Sequence, residues 1–185
     1  DVDKPPQKKF SKSYQSGPLS FEYFLDGIKI ITNSGFGNNI SKKAELLSKH
    51  TACQSTLTIN DTSITKFESN IMINKVFGNS IKNSFKSFDF STKNENNLIG
   101  CSSSNNGYEK RFGCTHKREI YVDKIDGCLK GVDHIFKTKD GYPIRYAFRF
   151  HINPELSVLK TMSGNSALIQ ISKNKSLLFS VDNEN

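Results

Sequence analysis

No apolar run in this chain of 185 residues approaches the roughly 18 that a membrane-crossing helix needs, which argues against a helical membrane span. It opens on Asp1, with neither Met nor a charged-then-apolar leader, and reads as a piece of a longer protein. Its four cysteines, Cys53, Cys101, Cys114 and Cys128, form no CxxC pair, and only His116 lies near Cys114. That spacing argues against a zinc ribbon or finger. Buried free thiols are expected, with one disulfide open to an oxidising compartment. There is no alternation of strand and helix patterns, so a parallel α/β sheet is not expected. No Ser-His-Asp order and no paired-carboxylate spacing appears, and "GFGNN" (35–39) lacks the strand-to-helix context of a nucleotide site. Neither a basic helix nor an RNA-binding aromatic signature is present, so no nucleic acid partner is expected.

What is present fits one globular domain over 1–185. Hydrophobic residues make up 35% and charged residues 24%, the balance of a soluble fold rather than a disordered one. The net charge of +8 is carried mostly by scattered lysines. Lys, Asn and Ile share AT-rich codons, so genome composition accounts for much of that charge. An anionic polysaccharide remains compatible with it.

The hydrophobic period is two almost throughout. In "LSFEYF" (19–24) Leu19, Phe21 and Tyr23 share one face, and "DG" at 26–27 offers a tight turn into "IKIIT" (28–32). Further strands are expected at 55–59, 70–77, 85–91, 97–103, 116–124, 128–136, 144–152, 156–162, 166–172 and 176–181. Turn signals separate them: "DG" at 126–127 and 140–141, "NP" at 153–154 and "SGN" at 163–165. The one helical stretch expected is a turn around 41–50. "SSSNNGY" (102–108) and the amino end through Ser13 read as polar connections. The pattern predicts an all-β fold, an antiparallel two-sheet β-sandwich of about ten or more strands with little helix.

In "IRYAFRFHI" (144–152) the alternation puts Tyr146, Phe148, Phe150 and Ile152 toward the core, and Arg145, Arg149 and His151 on the opposite face. Two guanidinium groups and an imidazole on one face can contact an anion. The same face also suits ordinary cross-strand ion pairs. A second basic group, Arg111, His116, Lys117 and Arg118, reads as a solvated strand, and His134 sits among apolar neighbours.

Several phrases together resemble the carboxy-terminal β-sandwich of heparinase II/III-like polysaccharide lyases, especially a branch common in alphaproteobacteria. They are "SGPLSFEYFLDGIKIITNSG", "TACQSTLTINDTS", "GYEKRFGCTHKREIYVDKIDGCLKGVD" and "YAFRFHINP", and the likeness spans nearly the whole chain. In the wider family the first segment looks like "HADALSFEL", its strand pair ends in "DPG", and a later segment reads "AAHNT". The resemblance implies that two histidines and an aspartate from these segments hold a zinc ion. The matching positions here are Gln15, Asn33 and Gln54. Carboxamides are poor zinc ligands beside imidazole and carboxylate, so no metal and no other cofactor is expected. The three amides can still tie strand ends together by hydrogen bonds.

The resemblance also implies an enzyme, a carbon–oxygen lyase that cleaves a uronic-acid-containing anionic polysaccharide by β-elimination in the periplasm or cell envelope. Most catalytic groups would lie in an amino-terminal α/α toroid absent from these residues, so the isolated piece is expected to be inactive. The candidate cleft residues of this chain are Gln15, its neighbour Tyr14 and the displaced His50; none is certain to be catalytic. Gln15 cannot act as a base at neutral pH but can hydrogen-bond a carboxylate or sugar hydroxyl. The other class of function open here is a non-catalytic glycan-binding or structural envelope module that retains the fold.

Overall fold

The computed structural model describes residues 1–95, 97–138 and 145–182. The strands are β1 (Tyr23–Leu25), β2 (Ile28–Thr32), β3 (Leu57–Ile59), β4 (Ser87–Glu95), β5 (Leu98–Asn105), β6 (Cys114–Asp123), β7 (Leu129–Lys137), β8 (Tyr146–Phe148), β9 (His151–Ile152), β10 (Ser157–Lys160), β11 (Ser166–Ser172) and β12 (Lys175–Ser180). Short helices interrupt them: α1 (Lys42–Ser48), α2 (Ile71–Phe77) and α3 (Glu109–Phe112). Every pairing among the described residues is antiparallel. The architecture is all-β and sandwich-like, as the alternation predicts.

The strands divide among four sheets rather than two: β4-β5-β6-β7, β1-β2-β9, β10-β11-β12 and the pair β3-β8. The expected single strand over 144–152 accounts for the separation of two of them. It breaks at Arg149–Phe150, so that β8 pairs with β3 while β9 pairs with β2. Such a change of sheet turns a corner of the fold. It also overturns the expected facing: Phe150 and Ile152 pack in the core, whereas Tyr146 and Phe148 are exposed.

Two hydrophobic clusters result. One gathers Leu57, Ile59, Ile64, Phe85, Tyr108 and Cys114 beneath β3 and β6. The other seats Ile30 and Ile31 of β2 against Ile169 of β11, with Leu177 and Phe179 of β12 alongside. The turn at 26–27 works as its residues require, since Asp26 and Gly27 both take positive φ (51° and 79°).

Three expectations need correction besides the sheet count. Residues 70–77 form helix α2, not a strand. Asn70 Oδ1 accepts from the Met72 and Ile73 N–H groups at 2.9 and 3.3 Å, and Gly78 ends the helix at φ 65°. "LSFEYF" is extended only from Tyr23, because Leu19 adopts a left-handed backbone at φ 59°. Residues 102–105 are strand, not connection. The "DG" at 140–141 lies outside the described residues. All four cysteines are free thiols, yet only Cys114 is buried and Cys128 is exposed.

Candidate functional site

Gln15 in the irregular segment before β1, Asn33 just after β2 and Gln54 in the turn before β3 meet at one corner. Gln54, buried in the turn after α1, donates from Nε2 to the Ser48 carbonyl at 3.0 Å and to Gln15 Oε1 at 3.4 Å. Asn33 follows β2, and its Oδ1 accepts the Ser55 N–H at 2.8 Å. Ser55 completes the stitch by donating its hydroxyl to the Thr32 carbonyl at 2.7 Å and accepting the His151 N–H at 2.8 Å.

The segment carrying Gln15 is held from behind by buried hydroxyls. Thr51 Oγ1 donates to Ser16 Oγ at 3.0 Å, which donates to Thr65 Oγ1 at 2.8 Å. The Ser16 N–H bonds the Lys49 carbonyl at 2.9 Å. Gly17 then passes so close that a Cβ there would stand 2.9 Å from Gln54 Cγ, so glycine is a packing requirement of this corner. Among the described residues the Gln15 side chain makes one hydrogen bond, the one from Gln54. Its own NH2 therefore remains a donor for something else.

The neighbours named from sequence separate. Tyr14 turns inward and packs on the cluster around Leu57; its hydroxyl is buried without a partner among the described residues, and burial pushes its pKa well above the usual phenol value. His50 is exposed, its ring edge-on to Phe67 at 6.2 Å. Arg145 and Arg149 both pair with Asp61, the latter at 3.3 Å. His151 leaves them and donates from Nε2 to the Ala52 carbonyl at 3.0 Å, beside the amide corner.

Two buried cations behind this corner escaped sequence reading. Arg118 was expected on a solvated strand, yet it is 4% exposed. Its Nε and Nη2 grip both oxygens of Asp133 on β7 at 2.7 and 2.9 Å, and its Nη1 donates to the carbonyls of Leu19 and Ser55. His116, equally buried, donates Nε2–H to the same carboxylate at 2.7 Å. The cluster pins the β4–β7 sheet to the two segments that carry Gln15 and Gln54. Burial disfavours ionisation of Asp133, but the His116 and Arg118 bonds outweigh it and hold the carboxyl below its usual range. Lys49 is also fully buried, with its ammonium on the Asn79 carbonyl at 3.0 Å and the rings of Phe67 and Phe36 at 5.2 and 5.9 Å. Burial lowers its pKa. The register of β6 against β7 sets Arg118 opposite Asp133, a pairing that the hydrophobic pattern does not signal.

A profile of the family described as Heparinase II/III-like, C-terminal matches residues 1–185. The chain belongs to that family. No curated protein and no solved structure matches it. In this heparinase II/III-like C-terminal domain the amide corner does not suit the zinc that the resemblance implies for relatives. Asn33 Oδ1 and Gln15 Oε1 are already engaged as acceptors, and Gln54 presents an NH2, which is no metal ligand. Among the described residues no three His, Cys, Asp or Glu side chains are grouped to hold a metal. No helix among them is long and apolar enough to cross a membrane.

Proposed function

We propose that this domain forms one wall of the substrate cleft of a polysaccharide lyase that works in the periplasm or cell envelope by β-elimination on a uronic-acid polymer. An amino-terminal α/α toroid is its companion in the parent protein. The observation that carries the reading is the Gln15 carboxamide. It stands half-buried at the amide corner, in a segment braced by buried hydroxyls, with an NH2 that has no partner among the described residues. Elimination needs the uronate charge offset, a base for the α-proton and an acid for the departing glycosidic oxygen. An amide supplies neither base nor acid at neutral pH. It can orient a carboxylate or a hydroxyl, so proton transfer falls to groups outside this chain.

The test uses the full-length parent on a panel of uronate polymers, following absorbance of the unsaturated product. Gln15→Ala should cut turnover by about a hundredfold or more while the melting temperature holds. If Gln15 only ties strand ends, the same change lowers stability by about 1–3 kcal/mol and spares turnover, which removes it from the cleft. The replacement of all three zinc-ligand positions by amides favours a second reading, a module that binds glycans without cleaving them. Retained binding with no turnover by the parent on any uronate polymer would decide for that module.

A further inference from the structure

The opposite face of the β4–β7 sheet from the Arg118 cluster carries a groove that neither reading uses. Alternation along β6 sends His116 and Arg118 inward, so Thr115 and Lys117 point outward. On β5, Ser104 lies opposite Lys117 and Ser102 opposite Glu119, while Thr115 faces Phe136 on β7. Ser102, Ser104, Thr115 and Lys117 form the floor of an open depression of about 530 Å³. Phe88 and Phe90 on β4 wall one side, and Phe136 on β7 walls the other.

The walls are large apolar rings left in water: Phe90 is 55% exposed and Phe136 52%. A backbone irregularity shapes the near wall. The β4–β5 register shifts between Phe88 and Ser91, and Asp89 there takes φ 54°. Bulges of this kind re-aim side chains beside sites. The floor is polar and crowded with hydroxyls, and Ser91 and Ser102 lie 2.9 Å apart. Its ammonium, Lys117, is already held 2.6 Å from Glu119, and Asp89 adds a further carboxylate on the rim, so these groups sum to a net negative charge.

We infer that this groove binds a hexopyranose chain through its hydroxyls and its apolar ring faces. Aromatic walls suit the C–H faces of a pyranose, and a floor of hydroxyls with a paired lysine and a further carboxylate on its rim suits neutral sugar hydroxyls better than a sulfate or a carboxylate, which that rim repels. Because it lies on the sheet face opposite the Arg118 cluster, it would hold a glycan independently of any cleft at the Gln15 corner. The assignment therefore stands under either reading of the parent, because it is read as binding by this chain and not as turnover.

The experiment is amide-shift mapping of the 185-residue chain with chitohexaose and with a hyaluronan octasaccharide, at low and high salt. The expected result is shifts at Ser102, Ser104, Thr115 and Lys117 that persist at high salt. Phe90→Ala and Phe136→Ala should each weaken binding roughly tenfold, about 1.4 kcal/mol. Phe24→Ala, an equally exposed ring on β1, should leave it unchanged. No groove shifts at millimolar sugar, or shifts confined to the Gln15 corner, overturn the proposal. Binding abolished by salt overturns the hydroxyl assignment, since exposed charge contacts are the ones salt screens. Groove amides protected only in the full-length parent, with no sugar response in the isolated chain, would assign the face to a companion domain and also overturn it.

Discussion

Arg118 shows how much one residue can decide in this domain. It touches Asp133, Leu19, Ser55 and the rings of Phe21 and Phe150, joining four stretches of chain. Arg118→Leu leaves the Asp133 charge without its main partner and should cost about 3–5 kcal/mol in urea unfolding. The Arg118→Leu/Asp133→Leu double variant should recover a large part of that; equal loss in both would mean that packing, not charge, dominates. His116 adds a pH signature. Burial lowers its proton affinity more than the Asp133 bond restores it, so its folded pKa lies below the unfolded value of about 6.5. As pH falls below that value, the unfolded chain takes a proton that the folded chain refuses, and stability declines until the folded pKa is reached. The Asp133 contribution follows in a lower window. It is complete above the unfolded carboxyl value of about 3.9 and is lost as pH drops through the depressed folded pKa. Melting curves at about pH 7 and about pH 5 should therefore diverge in the wild type and converge in His116→Gln. The same slope in both proteins would exclude His116 as its source.

At the scale of elements, the instructive cases are α2 and the stretch from Arg145 to Ile152. Ile71 and Ile73 alternate as a strand would, yet Asn70 and Gly78 mark the two ends of a helix. Seven residues are too few for periodicity to separate the two structures, and the caps carried the information. The Asn70 side chain satisfies two N–H groups at an exposed end, so Asn70→Ala should lower stability by about 1 kcal/mol. Hydrogen exchange localised to residues 71–77 should report it. An unchanged melt and unchanged exchange would show that packing alone holds the turn. In residues 145–152 the alternation is real, but the strand changes partner midway. Arg145 and Arg149 end on Asp61, while His151 joins the amide corner. No local pattern announces a change of sheet, because it is set by which partner strands are in reach.

At the scale of the whole molecule, the corner joins its segments by hydrogen bonds from Gln54 to Gln15 and from Ser55 to Asn33, and we propose that it holds them without a metal. Chelator treatment should leave the melting temperature unchanged, and metal analysis of the purified chain should find no stoichiometric zinc. A tightly held zinc would require ligands other than Gln15, Asn33 and Gln54. The 185 residues alone should also fail to cleave any uronate polymer, because the reading proposed above leaves proton transfer to groups of the amino-terminal companion; turnover by the isolated chain would contradict that division of labour.

Local sequence by itself determined the strand-rich class, most strand positions and the tight turn at Asp26–Gly27, since period-two patterning and turn residues act over a few neighbours. The phrases around Gln15, Asn33 and Gln54 also marked the family. Local sequence did not determine which face of β6 is inside. Thr115, Lys117 and Glu119 alternate with His116, Arg118 and Ile120, so both faces are largely polar and the hydrophobic pattern is silent. Only the tertiary structure decided it, by bringing Asp133 and the carbonyls of Leu19 and Ser55 to the Arg118 side. A buried guanidinium is tolerable only when each of its donors finds a partner, and those partners lie 15 to 99 residues away along the chain.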